Sequence, residues 1–220
     1  MVQKRNALSP GRGRPRQYDP QRALTRAMDA FWRQGYAGTS LDDLSAATLM
    51  NRPSLYNAFG DKQRLYLALL DRYIGSTTAA IREELLAPQP LKEVLTRFYR
   101  RMLKMYYSPR GEARGCFLIA TAVTESMENK QVRAKLAAVL HGVTRALEER
   151  FRAAEASGEL PPNADTAALA ATASAVLHSL AIQVRARVPR ASLLGSIDSA
   201  VRLLCAGARG MRKRRRNSKS

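Results

Sequence analysis

Apolar residues recur at three- and four-residue intervals along most of the chain, the spacing of one helical face, and nowhere alternate for long enough to predict a strand. The pattern begins at Ala23, Leu24, Ala27, Met28, Phe31 and Trp32, behind Asp19-Pro20, a cap followed by a proline at the first helical position. Gly35 is the expected stop. Ser40 is placed to cap a second helix from Leu41 to about Ala47, with Asp42 and Asp43 in its first turn and Leu41 and Leu44 inward. After Thr48-Leu49-Met50, Asn51 caps a brief third helix, Arg52 to Phe59, anchored by Leu55 and Phe59 and ended by Gly60. Asp61 then caps a fourth, with Leu65, Leu69, Leu70 and Tyr73 inward. Ala87-Pro88-Gln89-Pro90 is the plainest break in the middle of the chain. Beyond it the spacing predicts helices from Leu91 to about Tyr107, Cys116 to Met127, Gln131 to Ala156, Asp165 to Arg187 and Ser192 to Ala208. The fold class is all-α. Residues 1–18 form a basic arm expected to be disordered, 19–75 a small three-helix domain joined on by the fourth helix, 76–208 a larger helical domain and 209–220 a basic tail.

Two short helices joined by a tight turn, the second polar on its outer side, make a helix-turn-helix in which the second can enter a DNA major groove. The residues sharpen this. From Gly35 the chain reads GYAGTSLDDLSAATLMNRPSLYNAFGDKQRLYLALLDRY. Gly35-Tyr36, Thr39-Ser40, Ala46-Ala47, Leu55-Tyr56 and Phe59-Gly60-Asp61-Lys62 resemble the N-terminal domain of the TetR family of bacterial transcriptional regulators. The resemblance covers residues 21 to about 75; beyond that, the helices match the family only in number, length and order. Leu49 and Pro53 stand where glycines are usual. Pro53 is tolerable within the first turn of its helix, where a backbone N–H has no intrahelical partner. The resemblance implies a dimeric, ligand-responsive regulator, a repressor that binds a palindromic operator and lets go when an effector enters the C-terminal domain. It also implies that Tyr56 contacts DNA. Chemistry assigns Arg52, Ser54 and Asn57 to base edges, since arginine bridges guanine O6 and N7 and asparagine adenine N6 and N7. Thr39, Ser40 and Lys62 sit at helix starts, where hydroxyls, amides and the dipole suit phosphate. Ser40 serves equally well as a cap.

Composition points to the same partner. Thirty-seven Lys and Arg against 18 acids leave a net +19, a charge that favours a polyanion such as double-stranded DNA. Within the arm, Gly11-Arg12-Gly13-Arg14-Pro15-Arg16 resembles the core of an AT-hook, and Arg12 and Arg14 would carry insertion into a narrow minor groove. A generic basic tail that adds affinity by counterion release fits the same residues, and an architectural DNA binder using only arm and tail is the alternative function. Two cysteines are too few for a disulfide framework and fit a reducing cytoplasm. The N-terminus lacks an apolar signal core, and no transmembrane helix and no membrane partner are expected. There is no nucleophile–base pair, no phosphate-cradling glycine loop and no metal-ligand spacing, His141 and His178 being isolated. Neither an enzyme nor a cofactor is expected.

In the larger domain, Phe98, Met102, Met105, Tyr106, Phe117, Val123, Val139, His141 and Leu147 are candidates to line an effector pocket for a small molecule, and also for an ordinary core. Cys116 follows Arg110-Gly111-Glu112-Ala113-Arg114-Gly115 and opens a helix, a setting that lowers a thiol's pKa and would suit electrophile or redox sensing. A small buried core residue is the competing role. Leu169, Ala173, Val176, Leu180 and Val184 stripe the eighth helix, and Leu193, Ile197, Val201 and Leu204 the ninth. Two terminal amphipathic helices suit a symmetric four-helix homodimer interface, unless both stripes pack on their own chain.

Overall fold

The structure, a computed structural model, describes residues 19–214, with side chains placed as far as Ala206. The arm, with Arg12 and Arg14, lies outside the described residues, as does the end of the tail. Nine helices make up the described part: α1 (Pro20–Gly38), α2 (Leu41–Thr48), α3 (Arg52–Phe59), α4 (Lys62–Leu85), α5 (Leu91–Met105), α6 (Phe117–Glu125), α7 (Lys130–Ala156), α8 (Thr166–Arg185) and α9 (Arg190–Arg214). Among the described residues there is no strand beyond an isolated bridge between Tyr107 and Ala113.

Caps set the starts of the head helices. Asp19 accepts from Gln21 and Arg22 N–H at α1, Asn51 from Ser54 N–H at α3 and Asp61 from Arg64 N–H at α4. Ser40 and Asp43 close a reciprocal capping box at α2. Gly35 breaks α1 as expected, with φ +76° and ψ 172°, but a further helical turn follows as far as Gly38. Leu49 takes the left-handed position that ends α2 (φ 60°, ψ 32°) and is exposed, so a leucine bears there the strain a glycine would escape. Leu41, expected inward, is exposed; Leu44 and Leu55 are the buried anchors of α2 and α3.

The boundary near residue 75 is not a break, because α4 runs through it without interruption. There are two cores, and they share elements. The head core gathers Phe31, Trp32, Leu44, Leu55, Leu65 and Tyr66, and adds Phe117, Leu118 and Ala122 from α6 and Val132 from α7. The head therefore buries residues contributed from far along the chain. The body core is built from α5, α8 and α9 with the ends of α4 and α7, centred on Phe98, Tyr99, Met102 and Leu180.

The stripes of α8 and α9 belong to that second core. Ala173, Leu180, Val184, Leu193, Ile197, Val201 and Leu204 are buried within the chain, and Leu169 and Val176 pack against them half-buried. For the seven buried residues the expectation that they face a second subunit is corrected: amphipathic helices bury their long aliphatics in the nearest core first. By length and composition α8 reaches the range of a membrane-spanning helix, with a mean hydropathy of 1.5 in its most apolar stretch. Its buried side, with Leu177, Leu180 and Val184, packs into the body. The ninth helix also runs to Arg214, beyond the expected end near Ala208 and into the segment read as tail.

Candidate nucleic-acid interface and its links to the body

Buried Leu55 and half-buried Phe59 hold α3 to the head, and the outer side is left free. Arg52, Pro53, Tyr56 and Asn57 are exposed and Ser54 half-buried, so of the residues assigned to base contacts Arg52 and Asn57 are open to solvent and Ser54 is so only in part. Gly60 ends the helix at φ +77°, its N–H donating to the Tyr56 carbonyl at 2.8 Å. Arg52 is not free in the absence of DNA. Its guanidinium makes a bidentate pair with Asp42 of α2, with Nε donating to Oδ1 at 2.7 Å and Nη2 to Oδ2. That pair holds the Asp42 carboxyl below its ordinary pKa and ties α2 to α3.

The phosphate candidates divide. Thr39 is fully buried and its hydroxyl donates to the Gly35 carbonyl at 2.6 Å, so it braces the end of α1 rather than facing outward. Ser40 is exposed, but its hydroxyl is engaged in the capping box, donating to Asp43 Oδ2 at 2.6 Å. Lys62 opens α4 with its Nζ 4.3 Å from the centroid of the Tyr36 ring. Partial burial pushes its pKa down, against the pull of Glu125 at the end of α6.

Sequence reasoning missed the joint between head and body. Arg114, in the loop before α6, pairs with Asp29 of α1 at 2.7 Å and lies over the Trp32 ring at 5.5 Å. The Trp32 indole N–H donates to the Arg114 carbonyl at 3.2 Å, and Arg185 of α8 donates to the carbonyls of both Trp32 and Arg114. Next to it, Gly115 sits at φ +70° against α8, so close that a Cβ would lie 2.5 Å from the Ala181 carbonyl oxygen. These partners are 82, 85 and 153 residues apart, and no local pattern announces them.

The residues proposed for an effector pocket do not line one cavity. Phe98 and Met102 are buried in the body core, and Phe117 in the head core against Trp32, Tyr66 and Tyr73. Tyr106 is buried, Val123 and His141 are exposed, and Met105 borders a recess beside α5. Cys116 caps α6 half-buried, receiving the Tyr73 hydroxyl at 3.5 Å. Burial pushes its thiol up, more than the N–H groups of Ile119 and Leu118 and the Tyr73 hydroxyl pull it down. The lowered thiol expected from its place at a helix start is therefore corrected: desolvation outweighs the helix end. An open groove of about 1220 Å³ lies between α4, the turn at 86–90 and α7, and of these candidates only Val139 contributes to it.

A small head with an exposed recognition helix, seated on a helical body through α4 and α6, defines a helix-turn-helix DNA-binding regulator, not an enzyme. Residues 23–69 match the family described as bacterial regulatory proteins, tetR family, and residues 89–194 the tetracyclin repressor-like C-terminal domain. The chain is 30% identical over 192 residues to the HTH-type transcriptional repressor ComR of Escherichia coli (strain K12), across 87% of this chain and 91% of that one. It is 37% identical, with a TM-score of 0.77, to a cysteine mutant of the TetR family transcriptional regulator CifR complexed with 26bp double-strand operator DNA, over 86% of this chain and 98% of that chain. A TetR-family regulator from Cytophaga hutchinsonii aligns at 25% identity with a TM-score of 0.72, over 86% of this chain and 93% of that chain. The chain belongs to the TetR family of transcriptional regulators.

Proposed function

We propose that this regulator is a homodimeric repressor that reads a palindromic operator through α3 and releases it when a small molecule binds the body. The observation that carries the reading is the exposure of Arg52, Tyr56 and Asn57 on a short, doubly capped helix. The CifR relative bound to double-strand operator DNA and the repressor ComR support it. On DNA, Arg52 exchanges Asp42 for a guanine edge or a phosphate, Asn57 pairs with adenine, and Lys62 and the capped start of α2 lie along the backbone. The arm adds Arg12 and Arg14 to the flanking minor groove.

The dimer face in this reading is the opposite side of the two helices from the aliphatic stripes. Ala168, Ala171, Ala175, Ser179 and Ile182 recur on the exposed side of α8, and Ser192, Gly195, Ser196 and Leu203 on that of α9. Small residues let helix pairs from two subunits approach closely, and a two-fold axis there sets the spacing of the two α3 helices. An effector acts only through a difference in affinity between the two packings. The test is the affinity of full-length protein for its operator after Tyr56→Ala and Asn57→Ala. Each is expected to weaken specific binding about 10-fold or more, at about 1–3 kcal/mol per good contact, without changing the thermal midpoint. Unchanged affinity in both variants would remove α3 as the reader and leave the architectural alternative.

A further inference from the structure

We infer that the groove between α4 and α7 takes a monoanionic amphiphile, a carboxylate on an extended apolar body, with Arg82 and Arg145 receiving the headgroup; its role as effector rests on the function proposed above. The walls are apolar: Ile74, Ile81 and Leu85 on α4, Val139, Val143 and Ala146 on α7, with Pro88 and Pro90 closing one end. At about 1220 Å³ the groove is larger than a usual small-molecule pocket, which suits a long or bulky ligand lying along it.

The charges on its rim are not equivalent. Lys135 is paired with Asp71 at 2.5 Å, and Arg150 with Glu159 at 3.2 Å. Arg150 also donates to the Gln89 carbonyl at 2.9 Å. Among the described residues, Arg82 and Arg145 have no ion-pair partner, and both are exposed at the rim. The pairs fix how the two helices run beside each other, with Asp71 level with Lys135 and Gln89 level with Arg150. At about 1.5 Å per residue, Arg82 and Arg145 each stand roughly 15 Å beyond the Asp71–Lys135 bridge, abreast of one another across the groove. Two unpaired guanidinium groups above an apolar floor select a carboxylate attached to hydrocarbon, while the acid Glu149 on the same rim disfavours a more highly charged group. A ligand there bears directly on α4, the helix that begins at Lys62 in the head.

The test is calorimetric titration of the full-length protein with decanoate, decanol and decyltrimethylammonium, repeated on Arg82→Gln/Arg145→Gln and on Gly142→Phe. Gly142 lines the groove on α7 and a Cβ there meets nothing within 4 Å, so a larger side chain starts into open space and its ring obstructs the apolar floor. Decanoate is expected to bind, to lose at least tenfold in affinity in the double arginine variant and to lose binding in Gly142→Phe. Decanol is expected to be indifferent to the arginines, and the cationic amphiphile to bind at least tenfold more weakly than decanoate. No decanoate binding by protein that still binds operator DNA overturns the inference. So does binding that neither variant alters, or equal binding of the cation, which would mark the groove as a general apolar surface for a partner protein. Release of operator is read separately: decanoate that binds with this dependence but leaves operator affinity unchanged keeps the site and refutes its role as effector.

Discussion

Replacing Gly115 by alanine drives a methyl group into the backbone of α8. The residue sits at φ +70°, which costs an L-residue about 1–2 kcal/mol. The new Cβ would lie 2.5 Å from the Ala181 carbonyl oxygen and 3.3 Å from the Arg185 Cβ. The first of these neighbours is helix backbone and cannot rotate away, so the loop and α8 must separate, which for overpacked sites costs about 1–3 kcal/mol more. The expected total is about 2–5 kcal/mol. For a chain of this size that lowers the thermal midpoint by roughly 5–15 °C. Gly158→Ala supplies the control, because Gly158 has a similar φ of +79° but open space around its Cβ. It should lose only the conformational part, about 1–2 kcal/mol. Urea melts of both variants at one fixed protein concentration separate the two contributions, the concentration being held because the apparent stability of the dimer proposed above would depend on it. Equal losses in the two variants would refute the close approach of Gly115 to α8. Because the same loop carries Arg114, which is tied to Asp29 and Trp32, Gly115→Ala should also loosen the head from the body.

Three further outcomes follow from the structure. Leu49→Gly relieves a left-handed leucine and should stabilise the protein by about 0.5–1 kcal/mol in the same melts, the strain removed exceeding the backbone entropy that glycine adds. Ile182→Glu/Leu203→Glu places like charges on the exposed sides of α8 and α9, and sedimentation should find monomers that melt but no longer bind a full operator with high affinity. Cys116 should alkylate slowly at pH 7 in a Cys205→Ser background. Its thiol is pushed up by burial, so thiolate accumulates only at higher pH, and the labelling rate should rise with a midpoint above the ~8.5 of free cysteine; rapid labelling at neutral pH would contradict the burial.

The head was legible because its signals are local. Asp19, Ser40, Asn51 and Asp61 cap the helices they were expected to cap, and the exposed side of α3 follows from Leu55 being its one buried anchor. The body was legible in its elements but not in its faces. The aliphatic stripes of α8 and α9 mark a buried side without saying against what, and the structure buries them within the chain. The groove escaped because its walls lie on two helices separated in sequence by all of α5 and α6; each carries an ordinary helical stripe, and nothing local says that the two stripes border one open space. Phe117 could not be placed by its position in the larger domain, since it fills the head core through contact with Trp32. Thr39 had the residue type of a phosphate ligand, but its hydroxyl is spent inside the turn after Gly35.

The central claim is that two copies of α3, set by a two-fold axis, read a specific palindrome. The most direct measurement is selection of bound sequences from a random duplex pool, followed by titration of the best duplex at fixed salt with the stoichiometry determined. An enriched palindrome, bound by a dimer, with half-sites about one helical turn or a multiple apart, is the expected result. Enrichment only of A·T-rich DNA, with affinity lost on removing residues 1–18 and untouched by Tyr56→Ala, would contradict it.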